Sequence, residues 1–260
     1  MVKIGILGCM GRMGQALTVA ISEAPGLSLV IGSERSGHAL IGKTSPEYGT
    51  PVTDKTAVVF DVADLVIDFT PPGNTAAHAK MAADQNTKLL VGTTGLSSHD
   101  DTMLTKAAEK TAIMQDGNYS LGVNVLMSLV REAAARLGPD WDAEILEMHH
   151  RHKVDAPSGT ALMLGEAVAD GRGSSLSVLR ASMREGVTGE RKMGTVGFAS
   201  LRGGSVVGEH SVILASGSET ITLSHRAENR GLFADGAVRA VQWLAEQPSG
   251  RYSMQDVLGL

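Results

Sequence analysis

The chain has 260 residues, enough for one large or two modest domains. Its 43% hydrophobic and 20% charged residues describe a globular protein and exclude wholesale disorder. A net charge of −5 and only 3% aromatic residues give no reason to expect a nucleic acid or an anionic membrane as partner.

Val2 to Leu7 is a short apolar run that reads as a buried strand, and Gly11 to Ala24 carries apolar residues at helical spacing until Pro25-Gly26 ends it. Leu27 to Ile31 predicts a second strand. Leu65 to Phe69 is a continuous apolar run of the kind buried on both faces in a parallel sheet. Asn74 to Gln85 reads as helix, Lys88 to Gly92 as strand, Ser97 to Lys110 as helix and Thr111 to Met114 as strand. This alternation predicts an α/β domain, a Rossmann-like doubly wound parallel sheet.

The pattern changes after Asn118. Val123 to Leu137 predicts a long helix stopped by Gly138-Pro139, Trp141 to Met148 a strand, and Gly159 to Ala169 a helix. Gly171 to Arg191 is polar and Gly-rich and reads as a mobile loop, with at most a short strand near Leu176 to Leu179. From Thr195 to Ser224 strand-like runs follow one another without helices, which favours antiparallel pairing. Leu232 to Ala245 is helical again. The expected organisation is a dinucleotide-binding domain over residues 1–120 with a C-terminal return over 230–260, and a substrate-binding and oligomerisation domain over 121–229. The second domain is expected to be α+β with a mostly antiparallel, mixed sheet. The single Cys9 excludes an internal disulfide and a multi-thiolate metal site and fits a reducing compartment, and no apolar run nears the ~18 residues of a membrane span. A cytoplasmic location is expected.

The first strand runs into Gly8-Cys9-Met10-Gly11-Arg12-Met13-Gly14. Glycines at a strand-to-helix turn let backbone N–H groups approach a pyrophosphate, whose charge the helix dipole stabilises. Glu34, 20 residues after Gly14, stands where an acidic residue meets the adenosine ribose. Arg35 beside it would pair with a 2′-phosphate, so the two together admit NADH and NADPH. Gly92-Thr93-Thr94-Gly95 and Gly117-Asn118-Tyr119-Ser120 follow two further strands and would reach the same ligand.

The densest chemistry lies in His149-His150-Arg151-His152-Lys153-Val154-Asp155-Ala156-Pro157-Ser158-Gly159-Thr160. Three imidazoles suggest zinc, but His149 and His150 would project oppositely from a strand and Arg151 and Lys153 would repel a cation, so no metal is expected. A solvated basic turn is the bland reading. An acid–anion site is the third: cations hold a substrate's carboxylates, a histidine or lysine donates a proton, and Ser158-Gly159-Thr160 opens a helix whose free N–H groups take a second anion.

Together these segments resemble the 4-hydroxy-tetrahydrodipicolinate reductase (dihydrodipicolinate reductase) family of bacterial and plant lysine biosynthesis. The resemblance rests on EMHHRHKVDAPSGTA from Glu147 to Ala161, GCMGRMG, SER at 33–35, GTTG at 92–95, NYSLGVN at 118–124 and REGVTGERKMGTVGF from Arg184 to Phe198. It implies NAD(P)H-dependent reduction of a cyclic imine dicarboxylate, with loss of water. His149 would be the main proton donor or acceptor and Lys153 the second donor. His150, Ser158, Gly159 and Thr160 would bind substrate. Gly8, Cys9, Met10, Gly11, Arg12, Met13, Glu34, Arg35, Gly92, Thr93, Thr94, Asp116, Gly117, Asn118 and Tyr119 would line the cofactor, NADH or NADPH. A homotetramer joined through the second domain's sheet is implied as well. The chain departs from the family pattern at Gln115-Asp116-Gly117 and in Tyr119, where Phe is common. A metal-assisted hydrolase and a nucleotide-sensing regulator are the rival readings. Arg35→Ala is expected to weaken NADPH binding more than NADH binding; equal losses in a kinetic titration would refute it.

Overall fold

The computed structural model describes residues 1–45, 49–182 and 184–260. It divides into two compact units, Met1–Ser120 with Gly231–Gly259, and Leu121–Arg230 with Leu260. Among the described residues no helix is long and apolar enough to cross a membrane.

The first unit is built on a seven-stranded parallel sheet in the order β11-β6-β5-β4-β1-β2-β3. Its strands are β1 (Val2–Leu7), β2 (Leu27–Ser33), β3 (Val52–Thr53), β4 (Leu65–Asp68), β5 (Lys88–Val91), β6 (Ala112–Gln115) and β11 (Gly250–Tyr252). The helices are α1 (Arg12–Glu23), α2 (Thr56–Val62), α3 (Thr75–Gln85), α4 (Ser98–Ala108), α8 (Gly231–Leu244) and α9 (Met254–Leu258). Leu65, Val66 and Ile67 have no solvent exposure, as expected of a central strand covered on both faces. Leu65 and Ile67 face the cluster that holds α1 and α8, while Val66 faces the one that holds α2, α3 and α4. The return helix α8 is tied to the sheet by Lys88, whose Nζ donates to the carbonyls of Leu244 at 3.2 Å, Ala245 at 2.5 Å and Gln247 at 2.8 Å. A lysine at a helix C-terminus satisfies its last carbonyls and opposes its dipole. Strand order reverses across β4-β1-β2, which opens a crevice at the carboxyl ends of these strands.

The second unit holds a four-stranded mixed sheet, order β10-β9-β7-β8. Its strands are β7 (Asp142–His149), β8 (Val196–Arg202), β9 (Gly208–Ala215) and β10 (Thr220–Ala227). The β7–β8 pair is parallel and the other two pairs are antiparallel. β7 and β9 bury alternate residues, so one face packs on α5 (Leu121–Leu137) and α6 (Gly159–Gly171). The packing is close enough that a Cβ on Gly171 would lie 2.3 Å from the Arg131 carbonyl oxygen. On β8 and β10, Leu201 is 48% and Ile221 38% exposed.

The strand expected near Leu176 to Leu179 is a single helical turn, α7 (Leu176–Leu179). Helical spacing sends both leucines into the second unit's core, whereas a strand would point them to opposite faces. The rest of the expected loop is irregular except where α6 runs to Gly171; Met183 lies outside the described residues. Arg184 and Arg191 both bond Glu144 of β7, and Arg191 also bonds Asp142 at 2.6 Å.

Helix α8 crosses the β6 exit at Gly236, where a Cβ would fall 1.7 Å from the Tyr119 carbonyl oxygen. Alanine would gain about 1 kcal/mol of helix propensity. Backbone cannot yield as a flexible side chain can, so overpacking of about 1–3 kcal/mol wins. Gly236→Ala is therefore expected to lower the thermal midpoint; a higher midpoint in calorimetry would contradict this packing.

Candidate functional site

The turn after β1 is built by close backbone approach. Gly8 sits at φ +71°, a conformation that favours glycine, and its carbonyl accepts from Gly11 N at 3.0 Å. A Cβ on Gly14 would meet the Gly8 carbonyl oxygen at 2.3 Å. The turn thus runs directly into the first N–H groups of α1, which suits a pyrophosphate. Glu34 closes it from β2: Oε1 accepts from Met10 N at 2.9 Å and Oε2 from Arg35 N at 3.2 Å.

A cleft of about 580 Å³ opens here, lined among others by Gly8, Met10, Gly11, Glu34, Arg35 and Thr70. Cys9 does not reach it. Its thiol is buried against Gly32 and is pushed up to about 11 by burial and, less, by the Glu34 charge. Arg12 and Met13 open α1 outside this lining.

The β4 exit is braced from several sides. Asp68 has no exposure; its Oδ1 accepts from Thr70 N at 2.9 Å and Thr70 Oγ1 at 2.6 Å, and its Oδ2 meets His78 Nδ1 at 2.6 Å. Thr93 Oγ1 donates to the Thr70 carbonyl at 2.8 Å, joining the β5 exit to the β4 exit. Phe69 fills the space over Gly92, where a Cβ would lie 2.2 Å from its ring, and packs on Tyr119 at 5.4 Å between centroids.

Beyond β6 the predicted cofactor residues use their side chains internally. Asp116 accepts from Asn118 N at 3.1 Å and Met254 N at 3.0 Å, and burial raises its carboxyl above the usual range. Asn118 Oδ1 accepts from Ser120 N at 2.8 Å. Tyr119, fully buried, donates its hydroxyl to the Val91 carbonyl at 2.9 Å, and burial raises it further from ionisation. What Gly92, Thr94 and Gly117 offer a ligand is main chain, with the Thr94 hydroxyl in addition.

In the second unit the buried face of β7 is apolar at Ala143 and Ile145 and ionic at Glu147 and His149. Glu147 is 1% exposed. It accepts from Arg202 Nη1 and Nη2, both at 2.9 Å, from Ser158 N at 3.2 Å and from His149 Nδ1 at 2.6 Å. Burial alone would raise this carboxyl; Arg202, Ser200 and His149 outweigh it and hold it at about 2. A carboxylate only accepts, so Nδ1 of His149 carries the proton and Nε2 is left for chemistry. That nitrogen faces Gly208, where a Cβ would stand 3.1 Å away.

His210 packs edge-on to His149 at 5.1 Å, and its Nε2 meets Ser158 Oγ at 3.0 Å. Burial first, then the His149 charge, lowers its imidazole to about 4. Ser158 also caps α6, accepting from Ala161 N at 3.2 Å. His150 accepts from Arg230 on Nε2 at 3.0 Å, and its buried Nδ1 has no hydrogen-bond partner among the described residues. In the neutral ring Nδ1 is then a donor without an acceptor. Burial and the neighbouring cations lower this imidazole from its ordinary value. Lys153 Nζ meets Asp155 Oδ1 at 2.9 Å, and the Asp155 carbonyl accepts from Arg202 at 2.6 Å. Open space stands above Gly159 at the start of α6.

Thus β7, the turn after it and the start of α6 bring His149, Lys153, Ser158 and Gly159 onto one connected array. Glu147, which opens the EMHHRHK segment without being assigned a role there, belongs to the same array, as do Arg202, Gly208 and His210, which lie outside that segment. The signals for Glu147 are its place in that segment and its position two residues before His149 on a strand, which puts both on one face. Among the described residues no group of three or more His, Cys, Asp or Glu side chains could hold a metal ion.

Residues 2–119 match the family model described as dihydrodipicolinate reductase, N-terminus, and residues 122–258 match dihydrodipicolinate reductase, C-terminus. A 4-hydroxy-tetrahydrodipicolinate reductase of Rhizobium rhizogenes is 49% identical, covering 99% of this chain and 97% of that one. One of Brucella melitensis is 50% identical over 98% of each chain. Among solved structures, a dipicolinate-bound dihydrodipicolinate reductase from Paenisporosarcina superposes with a TM-score of 0.81 at 24% identity, covering 98% of each chain. A probable dehydrogenase from Thermotoga maritima reaches 0.66 at 10% identity, over 98% of this chain and 92% of that one. These two likenesses concern the fold. With both halves matched and half of the residues shared over almost the full length, the chain belongs to the dihydrodipicolinate reductase family.

Proposed function

We propose that the chain reduces (2S,4S)-4-hydroxy-2,3,4,5-tetrahydrodipicolinate to (S)-2,3,4,5-tetrahydrodipicolinate in lysine biosynthesis through diaminopimelate. The reaction consumes one NAD(P)H and one proton and releases one water. Family membership supports the reaction, and the buried Arg202–Glu147–His149 array is the observation that carries the site assignment.

The glycine turn fits a dinucleotide, because Gly14, which has no room for a Cβ against the Gly8 and Cys9 backbone, lets the turn pack directly on the start of α1. Gly8, Met10 and Gly11, with the first N–H groups of α1 at Arg12 and Met13, would hold the pyrophosphate through main chain while Cys9 packs beneath, and Glu34 would hold the adenosine ribose hydroxyls and Arg35 a 2′-phosphate. Gly92 to Thr94 and Asp116 to Tyr119 would seat the nicotinamide ring, whose reduced form supplies the hydride. The α6 start at Gly159 and Thr160 would take one substrate carboxylate, Ser158 shaping it from beneath as the helix cap, and the His150 Nδ1–H would take another. Charge developing toward the ring nitrogen is answered by the cations of the turn. His149, its Nδ1 fixed by Glu147, returns the proton from Nε2, and Lys153 is the second donor. Asp155 holds the Lys153 ammonium in place. His210, kept neutral by burial, packs edge-on to His149 without adding a positive charge there. A homotetramer formed through the exposed side of the four-stranded sheet, and a cytoplasmic location, belong to the same reading.

The test is a coupled assay. Pyruvate and aspartate semialdehyde are fed through the preceding synthase, and loss of NAD(P)H absorbance is followed. His149→Gln and Lys153→Ala are each expected to lower turnover at least ~100-fold. Near-normal rates in both would defeat the assignment.

Acid should unravel this centre from His210 downward. Its folded value, about 4, lies below the ordinary 6.5, so protonation favours the unfolded chain. The stability involved is complete above pH 6.5 and is lost as the pH falls through about 4, by up to about 3 kcal/mol. Glu147 acts over a lower window, from its ordinary 4.5 down through about 2. His210→Gln should make the thermal midpoint fall less steeply between pH 7 and 4.5; slopes equal to those of the unaltered protein would count against it.

A further inference from the structure

We propose that His38 is a second NADPH-selecting residue, forming with Arg35 and Ser36 a recess for the 2′-phosphate of the adenosine ribose. The inference rests on the reading that this unit binds NAD(P)H, and goes beyond it by adding a residue to the choice between the two cofactors.

Gly37, at φ +87°, reverses the chain directly after Arg35 and Ser36. The reversal is closed by His38 N donating to the Arg35 carbonyl at 3.2 Å. Arg35, Ser36 and His38 all line the 580 Å³ cleft that also contains the glycine turn. Leu40 N donates to His38 Nδ1 at 3.3 Å, so Nδ1 is the unprotonated nitrogen. The ring proton of neutral His38 therefore sits on Nε2, which is a donor both in the neutral ring and in the imidazolium.

The neighbouring charges fit this role. Glu34 has each oxygen committed to a backbone N–H, Met10 N and Arg35 N, at the base of the glycine turn. It favours ribose hydroxyls and repels a phosphate. Asp54, also on the cleft, repels it as well. A 2′-phosphate needs more than one flexible guanidinium to offset two carboxylates. The main-chain-held imidazole and the Ser36 hydroxyl supply a donor placed before the ligand arrives, which reduces the ordering cost of binding.

Dissociation constants for NADPH and NADH, measured by calorimetry on the full chain, test the assignment. His38→Asn is the diagnostic variant, since its side-chain oxygen can still accept from Leu40 N while nothing remains at the Nε2 position. It is expected to raise the NADPH constant about 10-fold and to leave NADH within about twofold. His38→Gln, whose amide nitrogen reaches near the Nε2 position, should recover part of the loss, and Arg35→Ala gives the scale of a cofactor-selective defect. An unchanged ratio of the two constants in His38→Asn, or an equal loss for both cofactors, overturns the proposal. If the unaltered protein binds neither nicotinamide, the parent reading falls with it, which is a separate result.

Discussion

Glu147 is a carboxylate taken out of water at the end of a strand, and the second unit is arranged around keeping it ionised. An isolated buried charge is too costly to persist, so partners must converge on it. They come from three places: Arg202 at the end of β8, the Ser158 N–H at the start of α6, and His149 on β7 itself. The site is therefore inseparable from the fold of the unit. Strand pairing sets Arg202 beside His149, and the Glu147 carboxylate that Arg202 holds fixes which nitrogen of His149 carries the proton. Removing one partner of such a group typically costs about 3–5 kcal/mol. Changes to Arg202 would be felt in stability and in chemistry together.

The first unit depends on a different constraint, the closeness of backbone to its neighbours. Gly14 lies against Gly8, Gly32 against Cys9, Gly92 against Phe69 and Gly236 against Tyr119, each with no room for a Cβ. Each contact sits at or beside the exit of a strand that borders the cofactor crevice. Asp68, Thr70 and Thr93 then lock the β4 and β5 exits to each other with hydrogen bonds, and His78 pins Asp68 from α3. The result is a row of preformed backbone groups held rigid from beneath, which is what recognition of a pyrophosphate and a ribose requires.

The readable parts of the sequence were those whose signal is local. The β1 strand, the glycine turn and Glu34 lie within one short βαβ stretch, and the His149 to Thr160 segment carries its own turn and helix cap. What escaped was set by pairing across long separations. Arg202 is 55 residues from Glu147, and His210 reaches the site because β9 pairs antiparallel with β7. Nothing in their own neighbourhoods marks them. β3, α2, β11 and α9 were missed for another reason: each is short, two to seven residues, and held by tertiary contacts, beyond what periodicity resolves. The α7 turn reads from sequence as at most a short strand, because four residues with an apolar end cannot separate the two periods. Its buried Leu176 and Leu179 decided the outcome.

The two motif clusters consequently mean different things. In the first unit most of the named side chains are spent inside the protein: Cys9 on Gly32, Thr93 on Thr70, Asp116 on Met254, Tyr119 on Val91. Their identities record the shape the main chain must hold, so size and hydrogen-bonding capacity matter there more than charge. Tyr119, where Phe is common in the family pattern, follows the same rule: its hydroxyl finds the Val91 carbonyl and its ring packs on Phe69. In the second unit His149 Nε2 and His150 Nδ1 have no protein partner among the described residues, and Glu147 and Arg230 occupy the other nitrogen of each ring. Substitutions in the two units should accordingly separate into those that act through packing and cofactor affinity and those that act through protonation. His38, braced by main chain through Nδ1 and lining the cleft of the glycine turn, falls between the two classes.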